Sequence, residues 1–248
     1  MSKPLKRHAE LEALFGSDFL PISKSAPPSS ATASKSVAPE GKPSVATPAK
    51  GVAKEGPKID HWQWPADYLA LRQEALGCRK CGLCETRTQV VFGVGRLDSP
   101  LLFVGEAPGA DEDIQGEPFV GKAGQLLTRT LAKHGVSRDK VHIANILKCR
   151  PPGNRTPAPE EMAACMPWLQ RQLEAIRPKV LCAMGNIAAQ TLLNTKTGIT
   201  RLRGQYADGL GRKIFPTFHP AYILRNMGEL PVFEADILQA CRDAGLAS

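Results

Sequence analysis

Three cysteines, Cys78, Cys81 and Cys84, fall within GCRKCGLCETR (77–87), and Cys149 and Cys165 follow in NILKC and EEMAAC, sixteen residues apart. A Cys-x-x-Cys pair with two later cysteines makes four soft ligands, the number that a four-cysteine zinc site or an iron–sulfur cluster requires. Spacing alone leaves open whether Cys78 or Cys84 pairs with Cys81, and zinc stays open beside the cluster. A second set of residues is scattered along the chain: Gly105-Glu106-Ala107-Pro108-Gly109, Phe119 in GEPFVGKAGQLL, Asn145, and His219 before Pro220. Glycine lets a backbone approach a ligand closely, a carboxylate and an imidazole manage charge and protons, and an amide can donate and accept at once. Singly, each also has an ordinary role: Phe119 in a core, Asn145 bridging a turn, His219 as a structural histidine. The glycine-rich segment is no phosphate loop, because neither G-x-x-x-x-G-K-[ST] nor G-x-G-x-x-G fits it.

These residues need a frame to bring them together. Continuous apolar runs at LLFVG (101–105), VHIAN (141–145), KVLCAMG (179–185) and KIFPTFHP (213–220) predict four strands. Helical patterns lie near 65–76, 122–134, 159–176, 186–194 and 231–244. Apolar runs without alternation, spaced by helices, mark a sheet covered on both faces. The predicted fold is α/β: a central, mostly parallel four-stranded sheet between two helical layers. Ligands of such sheets sit beyond the carboxyl ends of the strands. Gly105, Asn145, Gly185 and His219 leave those ends, so they are expected to meet at one rim.

A chain of 248 residues with 42% hydrophobic content can bury one substantial core. No apolar run approaches the roughly 18 residues of a membrane span. MSKPLKRHAELEALFG has no hydrophobic stretch before Glu10 and Glu12, so no secretory leader and no membrane partner are expected, and a cytoplasmic location is predicted. In a reducing compartment seven cysteines read as ligands or buried thiols. The net charge of +8 favours polyanionic partners, and the excess extends past residue 60, where 23 Lys and Arg face 18 Asp and Glu. Residues 21–58 hold seven prolines and no aromatic residue. Residues 1–59 therefore read as a disordered tail and linker ahead of a globular domain at 60–248. Leu11, Leu14 and Phe15 share a helical face, so residues 8–20 suit docking to a protein partner.

GEAPGADED (105–113), GEPFVGKAGQLL (116–127), NILKCRPPGNRTPAPEEMAAC (145–165) and HPAYILRN (219–226), in this order and at this spacing, resemble the family 4 uracil-DNA glycosylases. The resemblance covers residues 70–242 and implies a 4Fe–4S cluster on Cys78, Cys81, Cys149 and Cys165, with Cys84 spare. It implies a monomeric DNA repair enzyme that flips uracil out of single- or double-stranded DNA and hydrolyses its N-glycosidic bond. By the same resemblance Phe119 stacks on the base, Asn145 reads it, His219 donates to its O2, and Gly105 and the backbone at Ala107 touch it. Glu106 then places water or stabilises the sugar cation, since Ala107 stands where a sister family has an aspartate. Leu224 and Arg225, with Ile223, suit a wedge in the groove, and Arg87, Arg201 and Arg203 suit phosphate contacts. One related branch links covalently to DNA through a histidine in an inserted basic loop. CRPPGNRTPAPEE has neither the insertion nor a histidine, so hydrolytic turnover is expected. The alternatives are a cluster- or metal-stabilised DNA-binding module without catalysis, and a glycosylase for another deaminated base.

Overall fold

Residues 62–248 are described by the computed structural model. The tail at 1–59, its docking segment at 8–20 and the first residues of the domain lie outside the described residues. LLFVG forms β1 (Leu101–Gly105), buried at every position. It is flanked on one side by β2 (His142–Asn145) and on the other by β3 (Val180–Met184), both parallel to it. Beyond β3 lies β5 (Arg212–Thr217), also parallel, and β4 (Ala207–Gly209) closes the edge antiparallel to β5. The order is β2-β1-β3-β5-β4.

The sheet thus has five strands where four were predicted. The extra one, Ala-Asp-Gly, is three residues long and partly exposed. A polar edge strand of that length carries no apolar run and no alternation to find. The mostly parallel α/β architecture is as predicted.

Side chains alternate across each strand, so the sheet feeds two cores. Leu102, Val104, Ala144, Leu181, Ala183 and Ile214 face one layer. That layer is α1 (Ala66–Leu76), α4 (Pro159–Ile176) and α5 (Asn186–Leu193). Leu101, Phe103, Ile143, Val180, Cys182 and Phe215 face the other. It is formed by α3 (Lys122–Lys133), α7 (Pro220–Ile223) and α8 (Leu230–Asp243). Two short helices, α2 (Ala110–Gln115) and α6 (Ile199–Leu202), complete the frame.

Local chemistry sets the helix starts. Pro159 begins α4, where its missing N–H costs nothing, and the Glu161 carboxylate accepts from Ala158 N at 2.8 Å. In α3 the buried Leu126, Leu127, Thr130 and Leu131 lie one turn apart and form a single stripe. Because β2 and β3 flank β1 on opposite sides, the chain reverses its winding there and opens a crevice at the carboxyl ends.

The outer end of β5 is tied to α8 by a buried carboxylate. Asp236 accepts from Thr217 Oγ1 at 2.8 Å and from Arg203 Nε at 2.9 Å, with a second bond from Arg203 Nη2. Replacing Asp236 with alanine strands these donors, and buried charge-assisted bonds are worth about 1.5–3 kcal/mol each. Asp236→Ala is expected to lower unfolding free energy by about 2 kcal/mol or more in a denaturant titration. A loss within error of zero would show that the tie carries no stability.

Candidate active site

Pairing of Gly105 with Asn145 across β1 and β2 sets the rim. A methyl group added at Gly105 would stand 2.5 Å from Asn145 Oδ1 and 2.6 Å from Phe119 Cζ. No residue with a side chain fits there, so glycine lets the amide and the ring close over the strand end. These groups line a cavity of about 400 Å³ with Glu106, Ala107, His219, Arg225, Asn154, Arg155 and Tyr222. Residues from the exits of β1, β2 and β5 and from the loop before α3 therefore meet at one rim, as the strand rule required.

Phe119 is held from below. Its backbone has φ of 54°, in the left-handed region, where a phenylalanine sits only if its surroundings hold it. The Glu112 carboxylate accepts from Val120 N and Gly121 N at 2.9 Å each and from Gly109 N at 3.1 Å. One side chain in α2 thus fixes both the β1 exit loop and the Phe119 loop.

Asn145 is 1% exposed, and its Oδ1 has no hydrogen-bond partner among the described residues. An unsatisfied buried acceptor costs about 1–3 kcal/mol. At a cavity wall that penalty is removed when a ligand brings a donor.

His219 ends β5 and caps α7, its Nδ1 accepting from Ala221 N at 3.1 Å. A neutral ring that accepts at Nδ1 carries its proton on Nε2. Burial, with the charge of Arg225 adding to it, pulls the imidazole down to about 4, so the ring is neutral at physiological pH. Gly185, at φ of 92°, passes so close that a Cβ would lie 2.8 Å from the His219 Cβ. The His219 and Phe119 ring centres are 5.5 Å apart and tilted by 35°. Glu106, partly buried and without a hydrogen bond to a described residue, has its carboxyl pushed up by burial. Ala107 lines the same wall and packs partly on the core.

The remaining candidates divide. Leu224 and Arg225 are exposed on the turn after α7, whereas Ile223 is fully buried and belongs to the core. Arg201 is exposed on α6 and lies outside the cavity lining. Arg203 is engaged by Asp236 and stacks 5.5 Å from the Phe218 ring centre. Arg87 turns inward and donates to Cys149 Sγ at 3.2 Å.

That bond leads to a second cavity, lined by Cys78, Cys81, Cys84, Cys149 and Cys165 with Lys80, Arg87, Lys148 and Trp168. Cys78 follows α1, Cys81 precedes the 3-10 turn Gly82–Glu85, Cys149 follows β2, and Cys165 lies within α4. The Lys148 backbone N–H donates to Cys165 Sγ at 3.2 Å. Burial pushes the Cys165 thiol up to about 12, with Lys148 opposing it, and pushes Cys149 up against Arg87. Among the described residues no three His, Cys, Asp or Glu side chains are gathered as a single ion requires. The sulfurs surround a space instead, and cations and N–H donors face them. Cys182 and Cys241 are buried in the opposite core.

Several residues at these sites escaped the sequence reading: Glu112, Asn154, Arg155, Tyr222 and the buried Lys148. Glu112 had a signal, an acidic residue three places after Gly109 at the start of α2, where a carboxylate can reach back to the N-cap N–H. Lys148 had one too, as the lone charge in the apolar run ANILKC.

The family model "Uracil DNA glycosylase superfamily" matches residues 92–242. The type-4 uracil-DNA glycosylase of Thermotoga maritima is 51% identical over 151 residues, covering 60% of this chain and 79% of the relative. That of Archaeoglobus fulgidus is 46% identical over 172 residues, 66% of this chain and 86% of the relative. The type-5 uracil-DNA glycosylase of Pyrobaculum aerophilum is 32% identical over 170 residues, 61% and 75% respectively. With most of the chain matched and the type-4 relatives aligned over most of their length, this protein belongs to the type-4 branch of the uracil-DNA glycosylase superfamily.

Proposed function

We infer that this protein excises uracil from DNA, hydrolysing the N-glycosidic bond to release the free base and leave an abasic site. The observation that carries this reading is the Asn145 side chain, whose buried Oδ1 has no hydrogen-bond partner among the described residues, lining one cavity with Phe119 and with His219, whose Nδ1 accepts a hydrogen bond and so leaves the ring proton on Nε2. Uracil supplies what Oδ1 lacks, a donor at N3, while its O4 accepts from the same amide. Cytosine presents an unprotonated N3 there, leaving lone pairs facing each other, so discrimination is steep.

The target base must first leave the stack, at a cost of about a few kcal/mol. Leu224 and Arg225 on the exposed turn suit the space it vacates. Stacking on Phe119 returns about 1–3 kcal/mol. As the glycosidic bond breaks, positive charge grows on the sugar and negative charge on uracil O2. His219 Nε2–H donates to O2, a bond that strengthens as the charge develops and so lowers the barrier. Glu106 lines the cavity without a hydrogen-bond partner among the described residues and suits the sugar cation or the incoming water. Ala107 brings no functional side-chain group to this wall.

We assign a 4Fe–4S cluster to the second cavity, with Cys78, Cys81, Cys149 and Cys165 as ligands and Cys84, which also lines it, spare. Four sulfurs spread around a space, with Arg87 and the Lys148 N–H directed at two of them, match a polynuclear group better than one zinc ion. Held by these residues, such a cluster would supply cross-linking rather than redox chemistry, since glycosidic hydrolysis moves no electrons. The four cysteines join the segment that follows α1, the segment that follows β2, and α4.

An assay of uracil release tests the pocket. His219→Ala and Asn145→Ala are each expected to lower kcat/KM by about 10²–10³ while retaining iron; unimpaired release by both would remove the pocket from the mechanism. Gly105→Ala is expected to cost about 10² by displacing Asn145 or Phe119, and wild-type release by that variant would deny the crowding. The pH profile follows from His219 being held below its free value. Stability from the neutral ring is full above about pH 6.5 and is lost as pH falls toward about 4. Release is therefore expected to be level from about pH 6 to 8, with its acid limb lower. An inflection near 6.5 assigned to His219 would contradict the neutral ring.

A further inference from the structure

Between the two cavities stands one buried cation. Lys148 is 2% exposed, and its Nζ donates to the Asn145 backbone carbonyl at 2.8 Å and to Gln172 Oε1 at 2.6 Å. Gln172 is itself anchored, its Nε2 donating to Phe92 O at 2.9 Å and to Tyr68 Oη at 3.2 Å. None of the ion pairs among the described residues includes Lys148. The acidic groups that act on its charge are the thiols of Cys165 and Cys149: all three residues line the cysteine cavity, and the Lys148 backbone N–H bonds Cys165 Sγ. A buried ammonium needs a counter-charge, and ligated thiolates provide one.

Its target matters as much as its charge. Asn145 is the last residue of β2. Its carbonyl is bonded by the lysine, while its side chain lines the first cavity with Oδ1 unpartnered among the described residues. We propose that Lys148 is a positioning residue that couples the cysteine cavity to the base-reading amide, fixing Asn145 at its backbone. The inference rests on the reading of Asn145 as the residue that recognises uracil.

Lys148→Met keeps length and removes charge and donors. In protein shown by iron content and visible absorbance to retain its cluster, affinity for free uracil in calorimetric titration is expected to fall roughly ten-fold. Affinity for a duplex carrying an abasic-site analogue should stay within roughly two-fold, because that ligand never meets Asn145 Oδ1. In an Asn145→Ala background the same substitution should lower kcat/KM for uracil release by no more than roughly two-fold further. Wild-type uracil affinity in Lys148→Met, equal weakening for both ligands, or the same loss in both backgrounds would overturn the proposal. If Lys148→Met does not accumulate with iron, Lys148→Arg, which keeps the charge but displaces the donors, carries the same cycle against the same outcomes. Wild-type release by Asn145→Ala alone would instead refute the reading of the pocket, and the proposal with it.

Discussion

The crowding of Gly105, Asn145 and Phe119 at the ends of β1 and β2 is the constraint on which the site depends. Parallel pairing sets Gly105 beside Asn145, and the space that a Cβ would fill is already taken by the amide oxygen and the ring. Neither group can withdraw freely. The amide belongs to a strand end bonded to its neighbour, Ile146 N to Gly105 O at 2.9 Å, and the ring belongs to a loop clamped by Glu112. A planar base reaching this rim meets a flat ring and a fixed amide that are in place before it arrives. Preorganisation of this kind makes electrostatic stabilisation effective, because nothing has to reorient as charge develops.

The same strand exit serves two sites. From Asn145 to Cys149 the chain passes from an amide that lines the first cavity to a sulfur of the second, with Lys148 turned back to Asn145 between them. The protein places a costly buried charge where it touches both. On the opposite side of the sheet, the Arg203–Asp236–Thr217 tie braces the end of β5 two residues before His219. The imidazole therefore stands on a rigid element, and its tautomer is set by a backbone N–H that is part of α7.

How much of this was legible in the sequence differs from residue to residue. The four parallel strands announced themselves as continuous apolar runs, and the strand-end rule then brought Asn145, His219 and the Gly105 segment together. Phe119 reached the same cavity only through the resemblance, since a lone aromatic in a glycine-rich loop has no direction. Strand β4 was invisible because three polar residues at an edge bury nothing. The arginines show the limit most clearly. Arg87 and Arg203 looked like Arg201 and Arg225 in sequence, but their roles depend on partners 62 and 33 residues away, Cys149 and Asp236. The His219 tautomer was illegible for a related reason: it is set by a hydrogen bond, not by a residue type.

A crystal structure of the protein with free uracil bound tests the central claim most directly. The account expects the ring over Phe119, N3 within about 3 Å of Asn145 Oδ1, and O2 within about 3 Å of His219 Nε2. Uracil bound elsewhere, or bound in this cavity with Asn145 Oδ1 still unpartnered, would contradict it.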